Sequence, residues 1–294
     1  MKIRFSISWL VFVSRRFASV DKKGRGALTS FLASLGIAFG VMTLITIISV
    51  MNGLQMSYID SILEISSYHI RVKCNSAEDC AVFVEKSKFD SDITVCTPFY
   101  EGQSLVASDK GRQSAVLVRA VNPDICQKDS GFKRELKIVR GNFDLYEHNY
   151  VVIGENIATD LNVGIGDEVT LVAVSGSSDV SLIDTSRIYK VSGIFSCGYS
   201  GINSSFIFVS DKSKKTLFGK DVLPVIGIKL KDSSIDTRFI SRISKKFPNL
   251  SFESWRSYNR AFFGALRIEK NMIMMLVLLI FVVVGVNIFN SLRR

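Results

Sequence analysis

Residues able to do covalent or metal chemistry are sparse in this 294-residue chain, and their spacing does not gather them. His69 and His148 are its two histidines. The five cysteines, Cys74, Cys80, Cys96, Cys126 and Cys197, include no Cys-x-x-Cys pair. A structural zinc site draws four His or Cys ligands from closely spaced pairs, so none is expected. Gly164-x-Gly166-Asp167 lacks a third glycine and leads into a strand, which makes it a turn and not a phosphate cradle. The sequence holds no Gly-x-x-x-x-Gly-Lys-[Ser/Thr] loop, no His-Glu-x-x-His and no Gly-x-Ser-x-Gly. Asp90-x-Asp92 lacks the rest of a calcium loop. No catalytic, cofactor-binding or metal-ligating residue is assigned, and the chain is not expected to be an enzyme.

Two apolar runs dominate instead. Ala27–Met51 and Asn271–Leu292 carry no charge over their whole length, and a helix needs about 20 apolar residues to cross a bilayer core. The net charge of +10 maps onto their outer flanks. Residues 1–26 hold seven basic residues against Asp21, and Arg293 and Arg294 close the chain. The stretch between the runs is nearly balanced. Cytoplasmic flanks are enriched in Lys and Arg, so both termini are expected in the cytoplasm and the intervening domain outside it. This distribution argues against nucleic-acid binding. The first run is too long for a signal peptide and no Ala-x-Ala-like site follows it, so an uncleaved anchor is expected. Ile7–Val13, with Trp9, Phe12 and nearby bases, suits either an interfacial helix or a mobile basic tail.

The implied layout is a basic segment 1–26, a transmembrane helix 27–51, an outer domain 52–270, a second transmembrane helix 271–292 and a cytoplasmic stub 293–294. Within the outer domain, Tyr68–Lys73 alternates with period two, a strand signal. Ser76 opens a capped helix over 77–87. Ile93–Pro98, Ser104–Ser108, Ala115–Ala120, Val151–Gly154, Glu168–Val174, Ile188–Ile194, Phe206–Val209 and Ile226–Leu230 read as strands. Ile235, Phe239, Ile243 and Phe247 recur every four residues, a helical stripe that packs on a sheet. Trp255–Lys270 reads as a helix running directly into the second span. The fold class is α+β, two-lobed, with a strand-rich lobe at about 101–205 inserted into the other. An extracytoplasmic domain permits disulfides. Cys74 and Cys80 are close enough in sequence to bridge a strand to the next helix, but a domain of this size does not require the staple, and the pairing stays open.

In the spans, Gly36-x-x-x-Gly40 lets helix backbones approach closely. Asn287 and Asn290 place carboxamides in hydrocarbon, where they need a partner helix. Val50, Met51 and Leu54 at the outer end of the first span, and Phe263, Leu266, Met272 and Met275 near the second, could line an adaptable apolar path.

Leu35–Val41 followed by Ser49-Val50-Met51-Asn52-Gly53 resembles the first span of LolC/LolE-type lipoprotein-releasing permeases of the MacB/FtsX-like superfamily. Three more blocks agree in order: Val152–Glu155 with Gly164–Leu171, Val191–Phe195 with Gly198-Tyr199 and Ser204-Ser205, and Asn259–Lys270 running into Val286-Asn287-Ile288. The resemblance covers essentially the whole chain. It implies a MacB-like periplasmic domain in the bacterial inner membrane. It implies a second permease protomer and a LolD-like ATPase subunit that binds the ATP, with no cofactor in this chain. Acylated lipoproteins would enter from membrane lipids and pass to a LolA-like periplasmic carrier. The family's carrier-binding loop corresponds to Val174–Ser186 here, which has no Pro or aromatic residue, so carrier recruitment is expected elsewhere. Family members continue with a coupling helix and two further spans, so the sequence is expected to be such a permease cut after its second span. Two other readings compete: a two-span sensor with a ligand-binding outer domain, and a FtsX- or MacB-like permease that transmits force without releasing lipoproteins.

Overall fold

The computed structural model describes residues 9, 11–13, 16, 25–173, 187–219 and 222–293. The expectations for Val174–Ser186, and for Ile7, Ser8 and Leu10 within Ile7–Val13, lie outside the described residues. Two long helices, α1 (Arg25–Ser61) and α10 (Arg260–Arg293), contain the apolar runs. Both are long and apolar enough to cross a membrane. Within the apolar runs, exposed side chains such as Phe39, Ile45, Leu276 and Phe281 are apolar, as a lipid-facing helix requires. The parts of these helices up to Leu54 and from Ala261 belong to one compact unit, and Gln55–Arg260, which includes the end of α1, forms another.

The outer unit runs β1 (Ile70–Lys73), α2 (Ala77–Ser87), β2 (Ile93–Ser108), β3 (Gln113–Val121), α3 (Ile125–Lys128), α4 (Ser130–Glu135), β4 (Lys137–Gly141), β5 (Tyr150–Gly154), α5 (Glu155–Leu161), β6 (Glu168–Ala173), β7 (Ile188–Ser196), α6 (Ser200–Asn203), β8 (Phe206–Ser210), α7 (Lys214–Phe218), β9 (Val225–Leu230), α8 (Asp236–Ile243), β10 (Ser251–Ser254) and α9 (Trp255–Tyr258). The first lobe is the antiparallel sheet β10-β1-β9-β2. Ile70, Val72, Ile226 and Ile228 of its strands meet Phe83 of α2 and Phe239 and Ile243 of α8 in one core. Ser76 caps α2 through the Asp79 amide at 3.1 Å. The four-residue stripe falls as the sequence indicated: Phe239 and Ile243 are buried, with Ile235 and Phe247 packed against them.

The second lobe is a closed barrel. β2 pairs β3, β3 pairs β8, β8 pairs β5, β5 pairs β7, and β6 closes the ring by pairing both β7 and β2. Inward residues such as Val106, Val118, Ile153, Leu171, Val191 and Ile207 fill it, with Ile157 and Leu161 of α5 in the same core. Closure removes the exposed strand edges that an open sheet would present.

Two expectations are corrected. The strands expected at Ile93–Pro98 and Ser104–Ser108 are one 16-residue strand, β2, whose first half pairs β9 and whose second half pairs β3. Pro98 is tolerated because that half of β2 is the last strand of its sheet and needs no further donor. The helix expected over Trp255–Lys270 is interrupted at Asn259. Its Nδ2 and its own amide both donate to the Trp255 carbonyl, at 2.9 Å and 3.1 Å, a local side-chain bond of the kind that bends helices. Cys74 and Cys80 are disulfide-bonded, tying the end of β1 to α2.

Candidate functional site

The most heavily built polar site among the described residues is the foot of α1. The helix ends in a π-helical turn, Ile62–Ser66, closed by the Ser67 amide donating to the Ile62 carbonyl at 2.8 Å. Single π turns concentrate at functional places in helices. The last carbonyls of a helix lack donors and carry its negative dipole end. Here two arginines take them. Arg119 of β3 donates to the Ile65 carbonyl and, at 2.6 Å, to the Ser66 carbonyl. Arg71 of β1 reaches the Ser66 carbonyl at 3.4 Å. Both side chains are buried, at 0% and 1% exposure.

Glu101 of β2 joins them. Arg119 lies directly across from Glu101 in the β2–β3 register and pairs with it at 2.8 Å. Arg71 donates to the other carboxylate oxygen. Burial alone would raise the Glu101 carboxyl, but Arg119 and then Arg71 together hold it below the usual carboxylate range. Aromatic faces complete the enclosure. Arg119 lies 4.3 Å from the Phe99 ring and 4.9 Å from Phe206, and Arg71 lies 4.2 Å from Tyr258. Cation–π contacts of this kind strengthen when desolvated.

A second buried group completes the charge balance. Lys229 of β9 lies 2.6 Å from Glu64 Oε2 in the π turn and 2.6 Å from Asp129 Oδ2. The Asp129 contact is ionic without hydrogen-bond alignment, and its other oxygen caps α4 through the Phe132 amide at 2.9 Å. Three buried cations thus face three carboxylates. The fit around the foot is tight. A Cβ on Gly131 would lie 1.9 Å from Glu64 Oε2, one on Gly227 2.6 Å from the Tyr68 ring, and one on Gly198 2.4 Å from Ser57 Oγ. Tyr68 follows the turn with φ +54° and stacks on Phe99 at 5.4 Å. A bulky residue in the left-handed region is held there only by its surroundings.

The segment leading to α10 is tied to the same sheet. Asp236, fully buried, accepts from Ser254 Oγ and Arg256. The Trp255 amide donates to the His69 carbonyl at 3.1 Å. His69 Nδ1 accepts from the Leu230 amide at 2.9 Å, and burial holds its imidazole below the usual histidine range.

Of the residues nominated from sequence, Val50, Leu54, Met272 and Met275 are exposed on the long helices, whereas Met51, Phe263 and Leu266 are half-buried. A Cβ on Gly36 or Gly40 would meet nothing within 4 Å among the described residues. Asn287 and Asn290 fall on α10, and their side chains lie outside the described set. A hollow of about 470 Å³ lies elsewhere, beside α2, lined by Ala77, Ala81, Val84, Pro98, Pro224 and Ile226. No three His, Cys, Asp or Glu side chains among the described residues are grouped to hold a metal ion.

Sequence reasoning missed the charged foot. The signal was present: Arg71, Arg119 and Lys229 are lone charges inside the apolar runs Ile70–Val72, Val118–Val121 and Ile228–Leu230. A charge flanked by apolar residues faces solvent in a half-exposed strand, but here all three are buried, where a charge needs a partner.

The sequence pattern of the MacB-like periplasmic core domain matches residues 30–245. The lipoprotein-releasing system transmembrane protein LolC of Haemophilus influenzae is 30% identical over 285 residues, covering 94% of this chain and 68% of that protein. LolC of Xylella fastidiosa strain Temecula1 is 26% identical over 279 residues, covering 92% and 66%. The chain therefore spans about two thirds of the length of the curated relatives it matches. The periplasmic region of MacB from Actinobacillus actinomycetemcomitans overlaps loosely, with 12% identity and a TM-score of 0.41, over 67% of this chain and 93% of that one. The chain belongs to the MacB-like periplasmic core domain family and, within it, to the LolC-like transmembrane proteins of lipoprotein-releasing systems.

Proposed function

We propose that this chain is the permease part of an ABC transporter that extracts lipoproteins from the inner membrane for transfer to a periplasmic carrier. The observation that carries the reading is the order of its parts. A helix apolar enough to span, a two-lobed MacB-like domain and a second such helix follow one another across a match to LolC that covers 94% of the chain. In this reading both termini are cytoplasmic and Asn52–Lys270 is periplasmic, because the basic residues flank the helices on their outer sequence sides.

The chain itself performs no covalent chemistry. A LolD-like partner binds and hydrolyses ATP, a second LolC/LolE-type protomer completes the path, and a LolA-like carrier accepts the product. Extraction must overcome about 0.8 kcal/mol for each acyl CH₂ leaving the bilayer, so the coupling is mechanical. Met51, Phe263 and Leu266, half-buried on the two helices, are the first residues to probe for contact with acyl chains.

The test is photocrosslinking in membranes. A photoreactive phenylalanine at Met51, Phe263 or Leu266, with the partner subunits present, is expected to capture acylated proteins, and ATP is expected to reduce the yield. Capture of a small soluble ligand by the outer domain, with no acylated protein at any of the three positions, refutes the reading in favour of a sensor. Co-purification of a peptidoglycan hydrolase with no acylated protein refutes it in favour of a FtsX-like role.

A further inference from the structure

We propose that Arg71, Glu101 and Arg119 form the joint through which movement of α1 reaches both lobes of the outer domain together. The proposal rests on the permease reading above. Three observations carry it. First, the three residues come from three different strands that serve two different sheets. Arg71 is on β1 of the four-stranded lobe and Arg119 on β3 of the barrel. Second, Glu101 sits where β2 passes from one lobe to the other. Phe99 still pairs Val225 of β9, whereas Tyr100 already pairs Ala120 of β3. Third, both arginines hold the same end of the same helix, through the Ser66 carbonyl.

A hinge between the lobes at β2 would have to part Glu101 from one arginine or the other. A push or pull along α1 acts on both guanidinia through carbonyls that have no helical donor of their own. The guanidinia are shielded from water, so no solvent molecule substitutes when a contact opens, and the network resists partial disruption. The lobes and the foot of α1 consequently move as one body. These are positioning residues, since they touch no substrate.

A structural role alone is separated by the triple variant Arg71→Met/Glu101→Met/Arg119→Met. Replacing a whole buried ionic triad with apolar residues commonly preserves or raises stability, unlike removal of one member. Methionine cannot donate to the Ile65 and Ser66 carbonyls. With the chain assembled with its ATPase and partner permease in proteoliposomes, the variant is expected to fold and to hydrolyse ATP within about twofold of the unmodified rate. Lipoprotein release is expected to fall by about 2- to 30-fold, the range over which residues along a coupling network act. Release at the unmodified rate overturns the proposal. If the triple variant does not fold, Arg119→Lys, which keeps the charge but loses the fork geometry, is expected to show the same split, and equal release overturns the proposal.

The joint is also read without transport, by spin labels at the exposed Lys231 after β9 and Lys190 on β7. A distance distribution broader in the triple variant supports it, and equal widths overturn it. Failure of the unmodified assembly to release any lipoprotein sinks the permease reading, while the spin-label comparison still decides the joint.

Discussion

Replacing Lys229 by Met isolates the energetics of the buried charges at the helix foot. The Lys229 side chain is 5% exposed, and it faces Glu64 at 17% and Asp129 at 0% exposure. Methionine preserves the apolar stem and much of the volume, so the cavity contribution is small. What is lost is the ammonium shared by two carboxylates. Removing one partner of a buried pair costs about 3–5 kcal/mol, because the remaining charge is stranded away from water. Little compensates. Arg134 reaches Glu64 only at 3.6 Å, and its side chain is 66% exposed, a geometry worth about 1 kcal/mol or less. For a domain of this size each kcal/mol shifts the melting temperature by about 2–4 °C. The full chain in detergent is therefore expected to melt about 6–20 °C lower, followed by circular dichroism. Adding Asp129→Asn to the variant is expected to recover part of the loss. A decrease under about 1 kcal/mol, the scale of an exposed pair, refutes the account of a dry, mutually dependent network.

The remaining predictions test other contacts. His69 is held neutral by burial and by accepting the Leu230 amide. Its folded pKa lies below the unfolded value, so the unfolded chain binds the extra proton first and stability falls as pH drops below about 6.5. His69→Gln is expected to flatten a denaturation series in that window, and an unchanged slope contradicts it. Glu101 adds a second acid loss. Its folded pKa is also depressed, so its contribution is present above the unfolded carboxylate range and disappears as pH falls through the folded value. Gly131→Ala and Gly227→Ala force a methyl against Glu64 and the Tyr68 ring. Each is expected to cost about 1–3 kcal/mol by overpacking, whereas Gly36→Ala, with nothing within 4 Å among the described residues, is expected to leave the melting temperature unchanged. The Cys74–Cys80 disulfide, six residues apart, closes so small a loop that reducing it puts only about 2 kcal/mol at stake. The reduced chain is expected to stay folded, and loss of its circular dichroism signal would contradict this.

Local physics made much of the architecture legible. The two uncharged runs mark spanning helices because every backbone group in hydrocarbon must be satisfied within the helix. Ser76 announced α2 because its hydroxyl takes an otherwise orphaned amide. Phe239 and Ile243 announced the buried face of α8 through their four-residue spacing. The ordered glycine and apolar blocks gave the family, since turns and close backbone approaches depend on residue type at fixed positions. β2 was harder. Ile93–Pro98 and Ser104–Ser108 read as two strands, yet they are one, with half of it at a sheet margin and the other half in a barrel. Closure of that barrel depends on β6 meeting β2 across a separation of some 65 residues, which no local pattern encodes.

The site at the helix foot was decided by tertiary structure alone. Sequence shows single charges within apolar strands at Arg71, Arg119 and Lys229, a pattern that equally suits a strand with one face in solvent, and each needs a partner only once the fold buries it. It does not say which. Glu101, Glu64 and Asp129 are separated from those cations by as many as 165 residues, and only the crossing of β1, β2, β3 and β9 beneath the π turn brings them into hydrogen-bond range. Residue type thus put these charges on the strands, and strand topology buried them, chose their partners and placed them at the end of α1.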